Sequence, residues 1–451
     1  MALQKVRLYD TYQGKVRDFV PVVPGEVSCY YCGPTVYNYV HIGNIRPVLV
    51  FDLLNRLFVA LGYKVHMVSN YTDIDDKIIK KALEEGKSEK ELTDFYIKAY
   101  EDVLARLHCL PLEDHPRVSD YIPQISDFVA KLMENGFAYR TPSGDIEYDV
   151  EKDSTYGDLS KTDIHSLQSG ARIETDGEKK SPLDFALWKL TDDKGIKFDM
   201  PIGLGRPGWH TECVVMIKNH FKKPVIDIHG GGFDLKFPHH ENEMAQSYAY
   251  DGTLLANYWM HVGFLNMNGD KMSKSFGNVV LAKDALDRFG GNVLREFFLT
   301  TYYRAPINYT DEALTTAEAE VEKFKNLLAK FESKAGLEGW KLEGEFSSEE
   351  YGEFLNWLAD DLNVANALTV LNKVSKEANV LLRNPRAKKE DLSKAYLTYR
   401  KMLDTLGFDF PAKNVSEEDK KLYRDYQDAR AAKDYARSDE LRKSLQEKGL
   451  L

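Results

Sequence analysis

The sequence predicts an α/β protein with a parallel sheet, followed by an all-α helical bundle and a small C-terminal domain. Three observations support this prediction: a strand–helix–strand pattern near the N-terminus, a polar middle stretch punctuated by Pro and Gly, and long charged segments of helical periodicity beyond residue 311. With 451 residues, 43% of them hydrophobic, the chain can bury a full core and should divide into roughly two to four domains.

The strand–helix–strand pattern occupies residues 27–69. A β-rich run at residues 27–31 stops at Gly33, and apolar spacing over residues 47–61 fits an amphipathic helix with Pro47 in its first turn. A second strand is expected at residues 64–69. Strand, helix and strand at this spacing form a βαβ unit, which implies a parallel sheet that binds ligands at the carboxyl ends of its strands.

The polar stretch at residues 126–200 predicts an insertion between two halves of this sheet. Apolar runs return at residues 213–217 and 225–229, and the second run ends in three glycines that let a ligand approach the backbone. Helical periodicity then marks residues 311–332, 361–382 and 392–406, and two short charged helices follow residue 413. The predicted boundaries are 1–125 and 201–265 for the two halves of a nucleotide-binding domain, 126–200 for the insertion, 266–310 for a connecting region, 311–410 for the bundle and 411–451 for the last unit.

Composition limits the class of protein. The N-terminus lacks a basic stretch followed by an apolar run, and no apolar segment is long enough to span a bilayer, so we expect a cytoplasmic protein. The four cysteines are too few for a disulfide scaffold; they are expected to be thiols, metal ligands or, for Cys29 and Cys109, buried apolar groups. The net charge of -11 argues against indiscriminate nucleic-acid binding but leaves room for a local basic patch.

A metal site is one interpretation of residues 238–243. Pro238 suits a helix N-terminus, and residues four apart on a helix share a face, so His239 and Glu243 form a candidate ligand pair. With thiolates from elsewhere they could complete a tetrahedral zinc site. The alternative is that His239, His240 and Glu243 form an ordinary hydrogen-bonded helix start.

The candidate thiols are Cys213 and one member of the pair Cys29 and Cys32. In an extended strand, positions three apart face opposite ways, so only one of the pair can point into a site. Cys32 is better placed because it follows the carboxyl end of the first predicted strand.

Two short motifs make the sequence recognisable. His41-Ile42-Gly43-Asn44 precedes the first predicted helix, and Lys271-Met272-Ser273-Lys274-Ser275 follows the second half of the sheet. In their order and separation they resemble the paired nucleotide-binding signatures of class I aminoacyl-tRNA synthetases. The resemblance implies a Rossmann-like class I catalytic domain.

Both motifs suit phosphate chemistry. An imidazole and an amide at a helix N-terminus, from His41 and Asn44, supply donors where the helix dipole also favours phosphate, and Gly43 leaves room for the nucleotide. The cations of Lys271 and Lys274 could stabilise the charge that builds on departing pyrophosphate. Position 44 departs from the usual signature, which ends in a second histidine, but the Asn44 amide can still donate a hydrogen bond to phosphate.

Within that class, residues 31–37, 72–77, 205–210, 227–232 and 237–243 resemble the cysteinyl-tRNA synthetase family, and the likeness covers nearly the whole chain. The family implies one zinc ion per chain and ATP accompanied by Mg²⁺. It also assigns site residues. The implied zinc ligands are Cys32, Cys213, His239 and Glu243; the implied cysteine and adenylate pocket contains Thr35, Trp209 and His229; the implied ATP contacts are His41, Gly43, Gly231 and Lys274.

The resemblance also implies the reaction. L-cysteine would be activated with ATP to cysteinyl-adenylate and transferred to the 3′ end of tRNA(Cys), with zinc favouring the thiolate over a hydroxyl. The helices at 311–410 resemble an anticodon-binding bundle, residues 266–310 carry the lysine loop and a stem-contact region, and residues 411–451 form a small tRNA-binding unit. We expect a monomer with no membrane partner.

Several alternatives stay open at this point. A cysteine ligase of the mycothiol pathway shares the zinc and adenylate chemistry, and a non-catalytic paralogue could bind cysteine or tRNA as a sensor. The acidic run Asp73, Asp75 and Asp76 could orient the substrate ammonium group or cap a helix. Four protein ligands usually mark a closed zinc site, whereas a zinc that binds substrate needs a vacancy.

Overall fold

The computed structural model describes residues 5–162, 178–267, 269–271 and 279–450. They form two compact units, and the chain passes between these units three times. The first unit comprises Met1–Arg288 and Tyr303–Tyr309, and the second comprises Phe289–Tyr302 and Thr310–Leu451.

The elements are numbered here along the chain. Those that begin in the first unit are β1 Arg7–Asp10, β2 Lys15–Asp18, β3 Glu26–Tyr31, α1 Ile42–Ala60, β4 Lys64–Ser69, α2 Asp76–Glu85, α3 Glu89–Arg106, α4 Ile122–Glu134, β5 Ala138–Arg140, β6 Ile146–Tyr148, β7 Phe185–Leu190, β8 Phe198–Met200, β9 Gly203–Pro207, α5 Trp209–Phe221, β10 Ile226–Gly232, α6 Glu241–Asp251, β11 Ala256–Val262, β12 Leu265–Met267, β13 Asp270–Lys271, α7 Ala282–Thr300 and β14 Ile307–Tyr309. Helix α7 continues into the second unit, which also contains α8 Asp311–Glu338, α9 Ser348–Ala359, α10 Val364–Arg383, α11 Lys389–Leu406, α12 Glu417–Ala431 and α13 Tyr435–Glu447.

A four-stranded parallel sheet is the centre of the first unit. Its strand order is β11-β10-β3-β4, and every neighbouring pair is parallel. The predicted βαβ unit is therefore confirmed, with β4 at the predicted residues. Cys29 lies opposite Met67 on β4 and Ile228 on β10, so it is buried inside the sheet.

Helix α1 begins five residues before the predicted start. The Asn44 carboxamide oxygen accepts the backbone N–H of His41 at 3.0 Å, which caps the helix and places Pro47 inside it. Pro47 is the sixth residue of this helix, beyond the first turn where the sequence predicted it, so its missing N–H removes one hydrogen bond that would otherwise go to the Gly43 carbonyl. The sequence signal for this cap was present in the His41 motif.

The middle of the first unit contains a second, antiparallel sheet of order β5-β6-β7-β9-β8. It corresponds to much of the predicted insertion, but β9 continues to Pro207. Gly208 then turns the chain into α5: a Cβ there would lie 1.8 Å from the Ala186 carbonyl oxygen, so no side chain fits. The apolar run at residues 213–217 is part of α5, and all five of its residues are buried.

The second unit is helical as predicted. Its helices bury apolar residues at three- and four-residue spacing, as in α8, where Phe324, Leu327, Leu328 and Phe331 face the interior. The predicted segments correspond to α8, α10 and α11, and the two C-terminal helices to α12 and α13. Helix α9 lay between the predicted segments and was not anticipated.

Within the described ranges, no helix combines the length and the apolar character that crossing a lipid bilayer requires.

Candidate functional site

A cavity of about 440 Å³ opens at the carboxyl ends of β3, β10 and β11. This is the sheet edge at which the βαβ prediction placed a ligand. The loop after β3 and the start of α1 form much of its boundary. Its lining includes Cys32, Thr35, Tyr37, His41, Gly43, Asn44, Lys77, Trp209, Gly232, Phe233, Val262, Gly263, Phe264 and Leu281.

Cys32 connects this cavity to a buried cluster of metal-binding side chains. The predicted ligand atoms of Cys32, Cys213, His239 and Glu243 all lie within 4.8 Å of one another. The two sulfur atoms are 3.8 Å apart, and the His239 Nε2 lies 2.8 Å from the Glu243 Oε1. A helical turn at Lys236–His240 leads directly into α6 at Glu241, and Phe237 is its non-helical residue, so helical backbone begins at Pro238 as predicted. The four-residue spacing brings His239 and Glu243 together.

A second donor set shares two members with the first. Cys32, His229, His240 and Glu243 satisfy the same 4.8 Å separation. The His240 Nε2 is 3.3 Å from the Cys32 sulfur, and the His229 Nε2 is 2.5 Å from the Glu243 Oε2. The geometry therefore offers two overlapping sets of donors around Cys32 and Glu243.

Each of the candidate ligands His239 and His240 has a further histidine as the hydrogen-bond partner of its ring. The Nδ1 atoms of His210 and His239 lie 3.0 Å apart, and the Nδ1 of His240 lies 2.8 Å from the Nε2 of His261. Burial lowers the pKa of His210 and of His261 to about 3, so both rings are neutral and each can serve as a hydrogen-bond partner. Such outer partners fix which nitrogen of a ligand histidine faces the metal. Sequence reasoning missed His210 and His261.

The cluster concentrates negative charge. A hydrogen bond from Cys32 lowers the pKa of the Cys213 thiol to about 6, against the effect of burial. Burial opposes the charge on His239, but Glu243 and Cys213 outweigh it and raise the pKa of this histidine to about 10. Burial also opposes the charge on Glu243, yet His229 and His239 hold its pKa well below the usual range. A thiolate and a carboxylate that are both buried stabilise a cation between them.

The donor chemistry fits zinc. Cysteine sulfur, imidazole nitrogen and carboxylate oxygen are all ligands that zinc accepts in tetrahedral sites. Cys213, His239 and Glu243 are buried, and the partly exposed Cys32 reaches the cavity. The set containing Cys213 offers two thiol ligands against one in the set containing His240. Softer donors favour the first set for this metal.

The predicted substrate residues separate into two groups. Thr35 and Trp209 line the cavity, and the Trp209 ring stacks on His239 with centroids 4.4 Å apart. His229 is fully buried and bonded to Glu243 and to the Tyr30 carbonyl, so among the described residues it lies behind the metal cluster and does not line the cavity. His229 lies within β10, three residues before the strand ends at Gly232, which is why its side chain is enclosed.

The predicted nucleotide residues are partly described. His41, Gly43 and Asn44 line the cavity. Gly231 does not belong to the described lining, which contains Gly232 instead; a Cβ on Gly231 would meet Leu235 at 2.8 Å. The backbone of Lys271 pairs with Asn266, while its side chain and the whole of Lys274 lie outside the described residues.

The acidic run has partners within the chain. Asp73 accepts hydrogen bonds from the backbone and hydroxyl of Ser119, and Asp75 caps α2 by accepting the Lys77 N–H at 2.7 Å. Asp76 forms ion pairs with Arg206 at 3.1 Å and with Lys189 at 3.6 Å. These contacts favour the structural interpretation over binding of a substrate ammonium group.

Of the two cysteines expected to be buried, only Cys29 is; Cys109 is partly exposed because it follows the end of α3 rather than lying in a core strand. Lys77 and Phe233 line the cavity and were not predicted as site residues, although Lys77 belongs to the recognised segment 72–77.

Comparison with known proteins agrees with this architecture. Residues 18–319 match a family described as the tRNA synthetases class I (C) catalytic domain, and residues 353–411 match the DALR domain. Curated cysteine–tRNA ligases are similar over almost the full length. The protein from Shouchella clausii is 42% identical over 99% of this chain and 97% of its own, and that from Exiguobacterium is 41% identical with the same coverage.

Solved structures share the fold. A methionyl-tRNA synthetase from Mycobacterium tuberculosis in complex with methionyl-adenylate superposes with a TM-score of 0.60 at 15% identity, covering 84% of this chain and 89% of its own. A leucyl enzyme, the Agrobacterium radiobacter LeuRS-tRNA-LeuAMS ternary complex, reaches 0.61 at 11% identity, covering 86% and 85%. The fold class predicted from the sequence is therefore confirmed. The catalytic-domain match, together with relatives above 40% identity over nearly the whole chain, shows that this chain belongs to the cysteine–tRNA ligase family of class I tRNA synthetases.

Proposed function

We propose that the chain is a cysteine–tRNA ligase that activates L-cysteine with ATP, accompanied by Mg²⁺, and transfers it to the 3′ end of tRNA(Cys). The observation that carries this proposal is the junction of two sites at Cys32. This residue belongs both to the cluster of metal donors and to the cavity lined by the His41 motif.

The cluster supports recognition of the thiol. Cys32, Cys213, His239 and Glu243 would hold one zinc ion, which when bound supplies a soft Lewis acid that prefers a thiolate to the hydroxyl of serine. The Glu243 carboxylate is shared: one oxygen faces His239, and the other faces His229. His229 therefore gives Glu243 a hydrogen-bond partner on the far side of the cluster, which would orient this carboxylate as a ligand.

The cavity supports adenylate formation. Because the cysteine carboxylate is already a nucleophile, catalysis depends on orienting it toward the α-phosphate and on stabilising charge as pyrophosphate leaves. The N-terminus of α1, with His41, Gly43 and Asn44, supplies donors for the phosphates. Lys271 and Lys274 are proposed to add cations on the leaving-group side, and Trp209 and Thr35 to contact the cysteine.

The second unit supports a tRNA substrate. Its helices include the segment that matches the DALR domain, and we propose that residues 311–410 bind the anticodon region while residues 411–451 add further contacts. Side-chain cations on such helices could contact phosphates and aromatic rings could stack on unpaired bases. We propose a monomer that acts in the cytoplasm, where its four free cysteines would stay reduced.

The decisive experiment measures two activities of the purified protein. Cysteine-dependent ATP–pyrophosphate exchange tests adenylate formation, and aminoacylation of total tRNA tests transfer. Both activities are expected, with serine supporting exchange at least about 10⁴-fold less well than cysteine. Exchange without charging of tRNA would favour a cysteine ligase with another acceptor, and the absence of both would favour a non-catalytic paralogue.

A further inference from the structure

Arg46 is a buried cation close to the nucleotide motif. It lies on α1 two residues beyond Asn44, and its side chain is only 1% exposed. A guanidinium group is costly to bury unless its N–H groups find acceptors. Burial lowers the pKa of Arg46 to about 10, so it still carries its charge at neutral pH.

The Arg46 guanidinium donates to the backbone of the cavity wall. Its Nη1 lies 2.7 Å from the Gly263 carbonyl oxygen and 3.0 Å from that of Phe264. Both residues line the cavity, together with Val262 and Leu265 on either side. The two hydrogen bonds therefore tie α1 to the segment that leaves β11 and enters β12.

This wall also rests on the chain at residues 303–309. The Gly263 N–H donates to the Tyr303 carbonyl at 2.8 Å, and the Phe264 carbonyl accepts the Ile307 N–H at 2.9 Å. A Cβ on Gly263 would lie 2.5 Å from the Ala305 carbonyl oxygen, so the backbone packs as closely as a glycine permits. The wall is thus held on one side by backbone hydrogen bonds and on the other by the Arg46 side chain, while the Phe264 ring also contacts that of Phe233.

A second contact joins the His41 motif to residues 279–282. The Ile42 N–H donates to the Val280 carbonyl at 3.0 Å, and the Ala282 N–H donates to the Val40 carbonyl at 2.9 Å. These bonds are between backbone groups and survive most substitutions. Arg46 is therefore the side chain through which the wall at residues 262–265 can be altered separately.

We propose that Arg46 is a positioning residue for nucleotide binding, which holds the cavity wall at residues 262–265 in place relative to His41, Gly43 and Asn44. The inference rests on the proposed function, because it takes the ligand of this half of the cavity to be ATP. Arg46 itself touches backbone and not the reacting atoms. Its loss should weaken ATP binding while the cysteine half, built around Cys32 and Trp209, keeps its geometry.

The test compares Arg46→Gln and Arg46→Lys with the unaltered full-length protein in cysteine-dependent ATP–pyrophosphate exchange. A displacement of about 1 Å in a substrate-positioning element costs on the order of 100-fold, so Arg46→Gln should raise the KM for ATP by roughly 10- to 100-fold. The KM for cysteine should change by less than about threefold. Arg46→Lys keeps a cation that can donate to both carbonyls, so it should restore much of the loss.

Arg295→Gln is the matched control. Arg295 lies in the second unit, is fully buried and donates to the Leu406 carbonyl at 3.2 Å, so its removal also deletes a buried cation bonded to backbone. It should lower the thermal midpoint without changing the KM for ATP. An equal rise in both KM values of Arg46→Gln, an unchanged KM for ATP, or the same ATP effect from Arg295→Gln would overturn the inference.

Two provisions keep the outcome interpretable. If Arg46→Gln does not fold, Arg46→Lys and Gly263→Ala replace it; the alanine pushes the same wall and should also raise the KM for ATP selectively. If the unaltered protein shows no exchange, the proposed function fails, and equilibrium binding of ATP to the same variants decides the role of Arg46. Exchange in the unaltered protein with no change in Arg46→Gln would reject only the role of Arg46.

Discussion

Replacing Cys32 with serine should remove cysteine recognition, whereas replacing Cys29 should only destabilise the fold. The two thiols are three residues apart and belong to the same stretch of chain, yet one touches the metal donors and the other is enclosed by the sheet. The pair therefore separates a ligand role just after β3 from a packing role within it. Cys29→Ser is the control for Cys32→Ser.

The expected size of each effect follows from its surroundings. The Cys32 sulfur is 3.8 Å from that of Cys213 and 3.7 Å from the Glu243 Oε1, so it completes the donor set. Loss of an outer partner already costs about 10- to 100-fold in metal affinity, and loss of a ligand should cost at least about 100-fold, or about 2.7 kcal/mol. A serine hydroxyl at the fully buried position 29 should cost about 1–3 kcal/mol of stability.

The assay combines metal analysis with exchange kinetics. The unaltered protein and Cys29→Ser should contain about one zinc per chain with the same KM for cysteine, and Cys29→Ser should have a lower thermal midpoint. Cys32→Ser should lose most of its zinc and show a KM for cysteine raised by about 100-fold or more, with the KM for ATP changed far less. The reasoning is refuted if Cys32→Ser keeps its zinc and its cysteine affinity, or if both variants lose them equally.

Three further predictions concern individual side chains. Asn44→Ala should lower the free energy of unfolding by about 0.5–2 kcal/mol because α1 loses the carboxamide that accepts the His41 N–H. Asn44→Asp keeps this acceptor and the thermal midpoint, but its negative charge should repel phosphate and raise the KM for ATP. Equal thermal midpoints for the two variants would contradict this expectation. Glu241 accepts backbone N–H groups of Gly157 at 2.8 Å and Ser160 at 2.6 Å. Glu241→Gln should therefore lower the free energy of unfolding by about 1–3 kcal/mol and speed protease cleavage near residues 157–162. An unchanged cleavage rate would count against this expectation. Burial raises the pKa of Glu296 to about 8. Between about pH 4.5 and 8 the folded chain therefore binds more protons than the unfolded chain at this group. The free energy of unfolding is highest below this window and falls as pH rises through it. Glu296→Gln should therefore raise the free energy of unfolding at pH 8.5 by up to about 4 kcal/mol and change it little at pH 4.5 in urea titrations, an expectation that a similar gain at both pH values would disprove.

The sheet and the donor cluster could be predicted because their signals are local or periodic. Alternation decides which of Cys29 and Cys32 faces a site, and the four-residue spacing of His239 and Glu243 holds because the helical turn that contains His239 continues into α6. The parallel sheet then brings strand ends together. Cys213 was a candidate thiol from the sequence alone, and the likeness to a known family assigned it as a ligand from a distant helix.

Other features depend on contacts that no local pattern encodes. His229 lies in the middle of β10, and its bond to Glu243 depends on the position of α6 beside that strand. The rings of His210 and His261 reach the cluster from α5 and β11, and nothing in their spacing connects them with His239 or His240. Arg46 likewise acquires its acceptors from residues more than two hundred positions away.

The chain passes between the two units three times, which limits how they can be separated. Phe289–Tyr302 belongs to the second unit, Tyr303–Tyr309 returns to the first, and the chain from residue 310 onward is again in the second. Phe297 and Phe298 are buried, and Asn292 forms hydrogen bonds with Asp409, so the segment Phe289–Tyr302 is part of the second unit's interior. A fragment that starts at residue 310 would lack this interior, and one that ends at residue 288 would lack strand β14. A single cut in the chain therefore cannot yield either unit complete, so the two units have to be expressed and engineered together.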